Sequence, residues 1–279
     1  MSGTDQISPG PVAVHLETTT SGGRRIENFR LTSEARGPWQ EDAAHGGAPA
    51  ALLARTAESY GTEDGLRLAA LSATFYGPVM LGEITIESEL VKPGRRQRVV
   101  SLRLGGGGRT SIDARAVLLR RGEVLLPEDT LAGDRMANPG EGRPVDRRLW
   151  ADGEGPAFHR SANTVLATEG GPDRIGLTGA AWFRFDAPLV DDEPASPAQR
   201  AIAASDFGNG LAHPVPFGEF LFANCDLNFS LLRDPAGDWI GLRSRTEVDP
   251  GGAGLTTSEV FDATGRVGAA TQTLYVDRA

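Results

Sequence analysis

The stretch HGGAPAALLARTAESYG, residues 45–61, reads as a helix. Leu52, Leu53, Ala57 and Tyr60 recur on one face at helical spacing. Pro49 stands near the start and Gly61 at the end, the usual asymmetry of helix termini. A second face, Ala48, Ala50, Ala51 and Ala54, is built of small residues that let a helix lie close to its neighbour. Residues 196–210, SPAQRAIAASDFGNG, repeat the arrangement. Ser196 with Gln199 makes a capping-box signature and Pro197 takes the first helical position. This helix is expected to run to about Phe207 and stop at Gly208-Asn209-Gly210.

What surrounds each helix is also repeated. A strand is expected at Val12–Thr20, ahead of the first helix. After that helix, strands are expected at Ser72–Tyr76, Glu83–Val91, Arg98–Leu104 and Ser111–Leu119, with turns at Pro93-Gly94 and Gly105–Gly108. A strand at Ile175–Phe185 precedes the second helix. Strands at Ala223–Leu232, Trp239–Val248, Leu255–Phe261 and Val267–Val276 follow it. Pro49 and Pro197 differ by 148 positions, and the turn prolines Pro93 and Pro250 by 157. Two similar offsets point to a duplicated unit, one helix followed by an antiparallel meander. The fold class is therefore α+β. Residues 1–131 form the first unit, a polar Gly/Pro-containing stretch at 132–160 is expected to link the halves, and 161–279 form the second. Each sheet is expected to wrap its apolar face round its helix, and the halves to pair edge to edge.

Composition narrows the partners. The chain has 279 residues, about two units at ~150 residues each. With 28 basic and 37 acidic residues the net charge is −9, which argues against nucleic acid as a partner. The lone cysteine, Cys225, cannot form an internal disulfide, so a reducing compartment, the cytoplasm, is expected. No signal peptide is read at the N-terminus and no run approaches a membrane span. The histidines, His15, His45, His159 and His213, are scattered, with no HExxH or CxxC spacing, so no metal site is expected. No GxSxG elbow or GxGxxG loop is present, and no cofactor is expected.

A few polar residues stand at odd places. Asp206 follows Ile202 by four and shares its apolar helical face, where a carboxylate is costly unless hydrogen-bonded or functional; otherwise it is a helix-end residue facing solvent. Gln272 shares a strand face with Ala270, Leu274 and Val276, and interrupts an apolar row only if that face is the buried one. Asn224 and Asp226 open a strand although both are poor strand formers; they either cap it or line a site. Gly46 and Gly47, after His45, either expose backbone N–H groups to a carbonyl or anion, or simply permit close helix–sheet packing.

These stretches, in this order, resemble the thioesterase-like superfamily, relatives of acyl-CoA thioesterase II. HGGAPAALLARTAE after Gly37-Pro38-Trp39 is similar to its opening helix. Trp182-Phe183-Arg184, Ala187-Pro188-Leu189 and SPAQRAIAASDFGNG are similar to its second-half signature, and Asn224–Leu227 with GLTTSEVFDATGRVGAATQTLYV to its tail. The resemblance spans about residues 29–276. It implies a double hotdog, two helix-in-sheet units fused in one chain. It also implies an Asp, a Gln and a Thr that hold and activate a hydrolytic water; these fall on Asp206, Gln272 and, as a departure, Asn224, whose amide can both donate to and accept from water. The helix start presented to the thioester carbonyl falls on His45, Gly46 and Gly47. At the 148 offset Glu58 is the counterpart of Asp206 and a possible second site.

The expected activity is hydrolysis of an acyl-CoA or related thioester. Two alternatives stand beside it. One is a hotdog that binds acyl-CoA or lipid without turnover, suggested by Asn224 in the Thr position. The other is a hydratase or dehydratase built on an Asp206–His45 pair. Leftover sheet edges suggest a homodimer or higher oligomer.

Overall fold

The computed structural model describes residues 9–127, 133–145, 155–160, 163–171 and 174–279. The first half contributes β1 (Ala13–Ser21), β2 (Arg24–Leu31), α1 (Gly47–Glu58), β3 (Leu66–Phe75), β4 (Gly82–Lys92), β5 (Gln97–Gly106) and β6 (Arg109–Arg120). The second begins with a two-residue β7 (Arg143–Pro144), then β8 (Asn163–Glu169), β9 (Thr178–Phe185), α2 (Pro197–Ser205) and a short α3 (Gly208–Leu211). It ends with β10 (Phe220–Asn224), β11 (Asp226–Leu231), β12 (Ile240–Val248), β13 (Ala253–Asp262) and β14 (Gly265–Arg278). This is a double hotdog of the α+β class. The strands form one sheet in the order β1-β2-β4-β5-β6-β3-β11-β14-β13-β12-β9-β8-β7, with β10 also on β14. The halves join where β3 and β11 pair antiparallel, Asp226 opposite Thr74 and Ser230 opposite Ala70. The edge-to-edge pairing read from the sequence is thus present.

Both helices lie inside the curled sheet. Ten of the twelve residues of α1 are buried, and so are seven of the nine in α2. The small residues allow this, because alanines take little room between helix and sheet. The helices run antiparallel against each other. A Cβ on Gly47 would stand 2.5 Å from the Ala203 carbonyl oxygen near the end of α2, while Glu58 at the end of α1 meets Ser196 at the start of α2. The capping box expected for α2 forms in full: Ser196 Oγ accepts from the Gln199 N–H, and Gln199 Oε1 accepts from the Ser196 N–H.

Three expectations need adjusting. The second helix does not stop at Gly208; after Asp206 the chain re-enters a helical turn as α3, tucked so tightly that a Cβ on Gly208 would lie 2.5 Å from Ser258 Oγ. The strand expected over 223–232 is two strands, because the pairing with β14 slips by one residue between Asn224–Leu274 and Asn228–Thr271. The stretch read as a linker is partly built into the fold. Arg143–Pro144 pairs with β8, and Ala157 and Phe158 are core residues. Residues 132 and 146–154 of that stretch lie outside the described residues.

Candidate active site

The site stands where the start of α1 meets the end of α2. Gly46 and Gly47 make that meeting possible. A Cβ on Gly46 would lie 2.8 Å from Asp206 Oδ2, and one on Gly47 would overlap Ala203 and press on Phe158. Close packing is therefore part of their role, helix end against helix end and not helix against sheet.

Asp206 caps the C-terminus of α2 and is 4% exposed. A carboxylate there faces the negative end of the helix dipole, an unfavourable position, typically by a few tenths to ~1 kcal/mol. Three neighbours offset this. Asn224 Nδ2 donates to Oδ1 at 2.7 Å. Gln272 Nε2 lies 3.4 Å from Oδ1 and 3.4 Å from the Asp206 carbonyl oxygen. His45 Nδ1 lies 3.0 Å from Oδ2. The Asn224 amide is itself oriented, since its Oδ1 accepts from Asn209 Nδ2 at 3.0 Å, so its Nδ2 must face Asp206.

His45 Nδ1 also lies 3.1 Å from the Gly47 N–H. One nitrogen cannot accept from an amide and donate to a carboxylate at once. Two sets of lone pairs 3.0 Å apart would repel, so the proton belongs on Nδ1 and the carboxylate contact dominates. Nε2 then carries the free lone pair, and it makes no hydrogen bond among the described residues. The ring stacks on Phe207 at 4.3 Å and 25° and leans on Phe158 at 5.3 Å.

His45, Gly46, Asp206, Asn209 and Asn224 form the polar end of a cavity of about 520 Å3. Its other walls are largely apolar, with Trp39, Val79, Phe217 and Phe222. A mostly apolar hollow with a few converging polar groups is the usual form of a small-molecule site. Among the residues expected from sequence, Gly47 and Gln272 do not line it. Gly47 is turned toward Ala203 and Phe158. Gln272 is wholly buried on the inward face of β14 and touches Asp206 from behind; its Oε1 is a buried acceptor with no hydrogen-bond partner. Asp226 is a strand cap, accepting from the Thr273 N–H at 2.8 Å and from Thr273 Oγ1 at 3.0 Å.

Glu58 is not brought to this site. It lies at the opposite end of the helix pair, where Ser196 Oγ and Gln199 Nε2 donate to it at 2.8 and 2.7 Å. Burial raises its carboxyl above the ordinary value, with the hydrogen bonds from Gln199 and Ser196 opposing. At the 148 offset its neighbours are Glu193, Pro194 and Ala195, where the Asp206 end has His45, Gly46 and Gly47. That end has no imidazole and no glycine pair. Sequence reading missed two residues, Asn209 and Phe158. Asn209 stands three after Asp206, on the same helical side, inside the expected glycine stop. Phe158 lies inside the expected linker.

Among the described residues no group of three or more His, Cys, Asp or Glu could hold a metal ion, and no helix is long and apolar enough to cross a membrane. Residues 35–119 match the model of the acyl-CoA thioesterase N-terminal domain, and residues 129–276 that of the C-terminal domain. No curated protein matches the sequence. Among solved structures, a protein of unknown function with a hot dog fold from Alicyclobacillus acidocaldarius is similar at 17% identity and a TM-score of 0.71, over 94% of this chain and 96% of that one. Acyl-CoA thioesterase II TesB2 from Mycobacterium marinum is similar at 15% and 0.61, over 95% and 96%. The dehydratase domain from the CurJ module of curacin polyketide synthase is similar at 12% and 0.52, over 95% and 97%. At these identities the likeness is one of fold.

Proposed function

The chain belongs to the acyl-CoA thioesterase family, and on that premise we propose that it hydrolyses acyl-CoA or a related acyl thioester at the polar end of the Asp206 cavity. The observation that carries this reading is the convergence of Asp206, Asn224 and His45 on the wall of that cavity. A water between Asn224 and the Asp206–His45 pair attacks the thioester carbonyl carbon. Its proton passes to the pair, either to the carboxylate directly or to Nε2 of the imidazole that the carboxylate orients. The negative charge that develops on the carbonyl oxygen meets the Gly46 N–H at the start of α1; one such preorganised donor is worth about 3 kcal/mol. The tetrahedral intermediate then collapses, the C–S bond breaks, and the leaving thiolate takes back the proton. Gln272 holds Asp206 in place and does not touch the substrate.

The test is thiol release from a panel of acyl-CoAs. Asp206→Asn keeps the shape and removes the charge. The expected loss is 100-fold or more in kcat, in line with the ~10²–10⁴ of a general base. A variant as fast as the wild type sinks the assignment. Saturable acyl-CoA binding with no thiol release by the wild type points instead to a carrier.

The contact between His45 and Asp206 also favours a second reading, hydration or dehydration of an acyl thioester, which needs an acid and a base side by side. Turnover of an enoyl-CoA series, followed by loss of the conjugated absorbance, separates the two; inertness removes this reading.

A further inference from the structure

A second cavity of about 380 Å3 is lined in part by Phe158, the ring neighbour of His45, and shares no lining residue with the first. Its buried walls are apolar, Val12, Ala51, Phe158, Leu189 and Ala203, and its solvent side carries the exposed charges of Arg184, Asp186, Glu193 and Asp238. On α1, Pro49 lines the first cavity and Ala51 the second; at the other helix, Ala203 of α2 lines the second, and Asp206 and Phe207 just beyond it line the first. The second cavity therefore lies further along the antiparallel helix pair than the first. Alanines at both positions leave the space open.

The Phe158 ring stands between residues of the two hollows. The Phe158 ring is 5.3 Å from His45 and 5.9 Å from Phe207, which line the first cavity, and 5.5 Å from Phe185, which lines the second. Room for it comes from Gly47, where a Cβ would press against its Cε1 at 3.2 Å. The ring is held by stacking and packing alone, so turning it breaks no hydrogen bond. The half-exposed Trp39 and the exposed Tyr76 mark the outer end of the first cavity. A thioester entering there with its carbonyl at Asp206 has the helix pair, and Phe158, ahead of its acyl chain.

We propose that the second cavity receives the distal end of a long acyl chain and that Phe158 is the partition that turns aside to admit it. The chemical class of this ligand, a saturated alkyl chain, rests on the hydrolytic reading above. The site itself rests on the two cavities and the ring between them.

The experiment compares six-carbon with twelve-carbon ligands, in two formats, on the wild type, Phe158→Ala and Ala203→Leu. Calorimetric binding of hexanoate and dodecanoate needs no turnover; kcat/KM for the two acyl-CoAs does. Each buried methylene contributes roughly fourfold, so the long-to-short ratio is a sensitive readout that overall losses do not distort. Ala203→Leu fills the second cavity and is expected to lower that ratio at least tenfold. Phe158→Ala joins the cavities and is expected to raise it. Melting curves verify folding, and Phe158→Leu replaces the alanine variant if that one is unfolded. A ratio within twofold of the wild type in both variants overturns the proposal. Failure of the hydrolytic reading shows separately, as no thiol release at either chain length with the binding ratios still measurable.

Discussion

A negative charge at the C-terminal cap of a helix is a poor choice for stability, and Asp206 holds that place only because Asn224, Gln272 and His45 converge on it. The same residue is visible in the sequence as a polar interruption of an apolar face. Gln272 is visible in the same way, once the structure decides which face of its strand is inward. Asn209 and Phe158 are not, because nothing local marks them; one orients an amide fifteen residues away and the other fills space left by a glycine in the other half. His159 is a third residue whose character only the fold reveals. It is 1% exposed and neither ring nitrogen has a hydrogen-bond partner. Burial, reinforced by the positive charges of Arg160 and Arg36, pushes its pKa down to about 3. Between pH 6.5 and about 3 the unfolded chain binds a proton there that the folded chain refuses. Stability is therefore unaffected above pH 6.5 and falls as the pH drops below it, by about 1.4 kcal/mol per pH unit. Urea unfolding at pH 7 and pH 5 is expected to show this loss in the wild type and a flatter response in His159→Leu. Equal slopes for the two proteins would remove His159 as the cause.

At the scale of elements, the meeting of two helix ends is what makes the site. Gly46 has φ −58°, which any residue adopts, so its requirement is for space alone. Gly46→Ala places a methyl against a carboxylate pinned by three neighbours. The expected result is a kcat lowered at least tenfold, since displacements of ~1 Å in a site can cost 100-fold, with the melting temperature shifted by only a few degrees. Activity retained in full would show that Asp206 has slack. Both helices and most of the meander are legible in the sequence because their periodicities are clean. The strand β2, RRIENFRL, is missed for a physical reason. Its inward positions are Glu27, Phe29 and Leu31, and the buried Glu27 breaks the alternation that marks a strand. Burial would raise the Glu27 carboxyl, but hydrogen bonds from Arg25, Thr56 and Arg55 outweigh it and hold it below the ordinary value. Likewise ANCDLNFSLL looks like one strand, because a one-residue slip in pairing leaves no trace in composition.

Across the whole molecule, the sheet closes the joint between the halves but leaves an end. β1 is the outermost strand; its first residue is tied to the loop at Val190, while Leu16–Ser21 is exposed. An unpaired edge of that length tends to find a partner. Sedimentation equilibrium is expected to give at least twice the 29.4 kDa chain mass; a monomer at every concentration would show that the edge is tolerated bare. The antiparallel helix pair has a mechanical consequence at this scale. The two ends of the pair are a fixed distance apart, set by twelve residues of α1 alongside nine of α2. Sliding one helix along the other to part Gly46 from Asp206 must also tear Glu58 from Ser196 and Gln199. The Glu58 end works as the stop of a gauge: by bottoming out there, the helices are brought to the same reading at the other end, with the Asp206 carboxylate one atom's width from the Gly46 backbone.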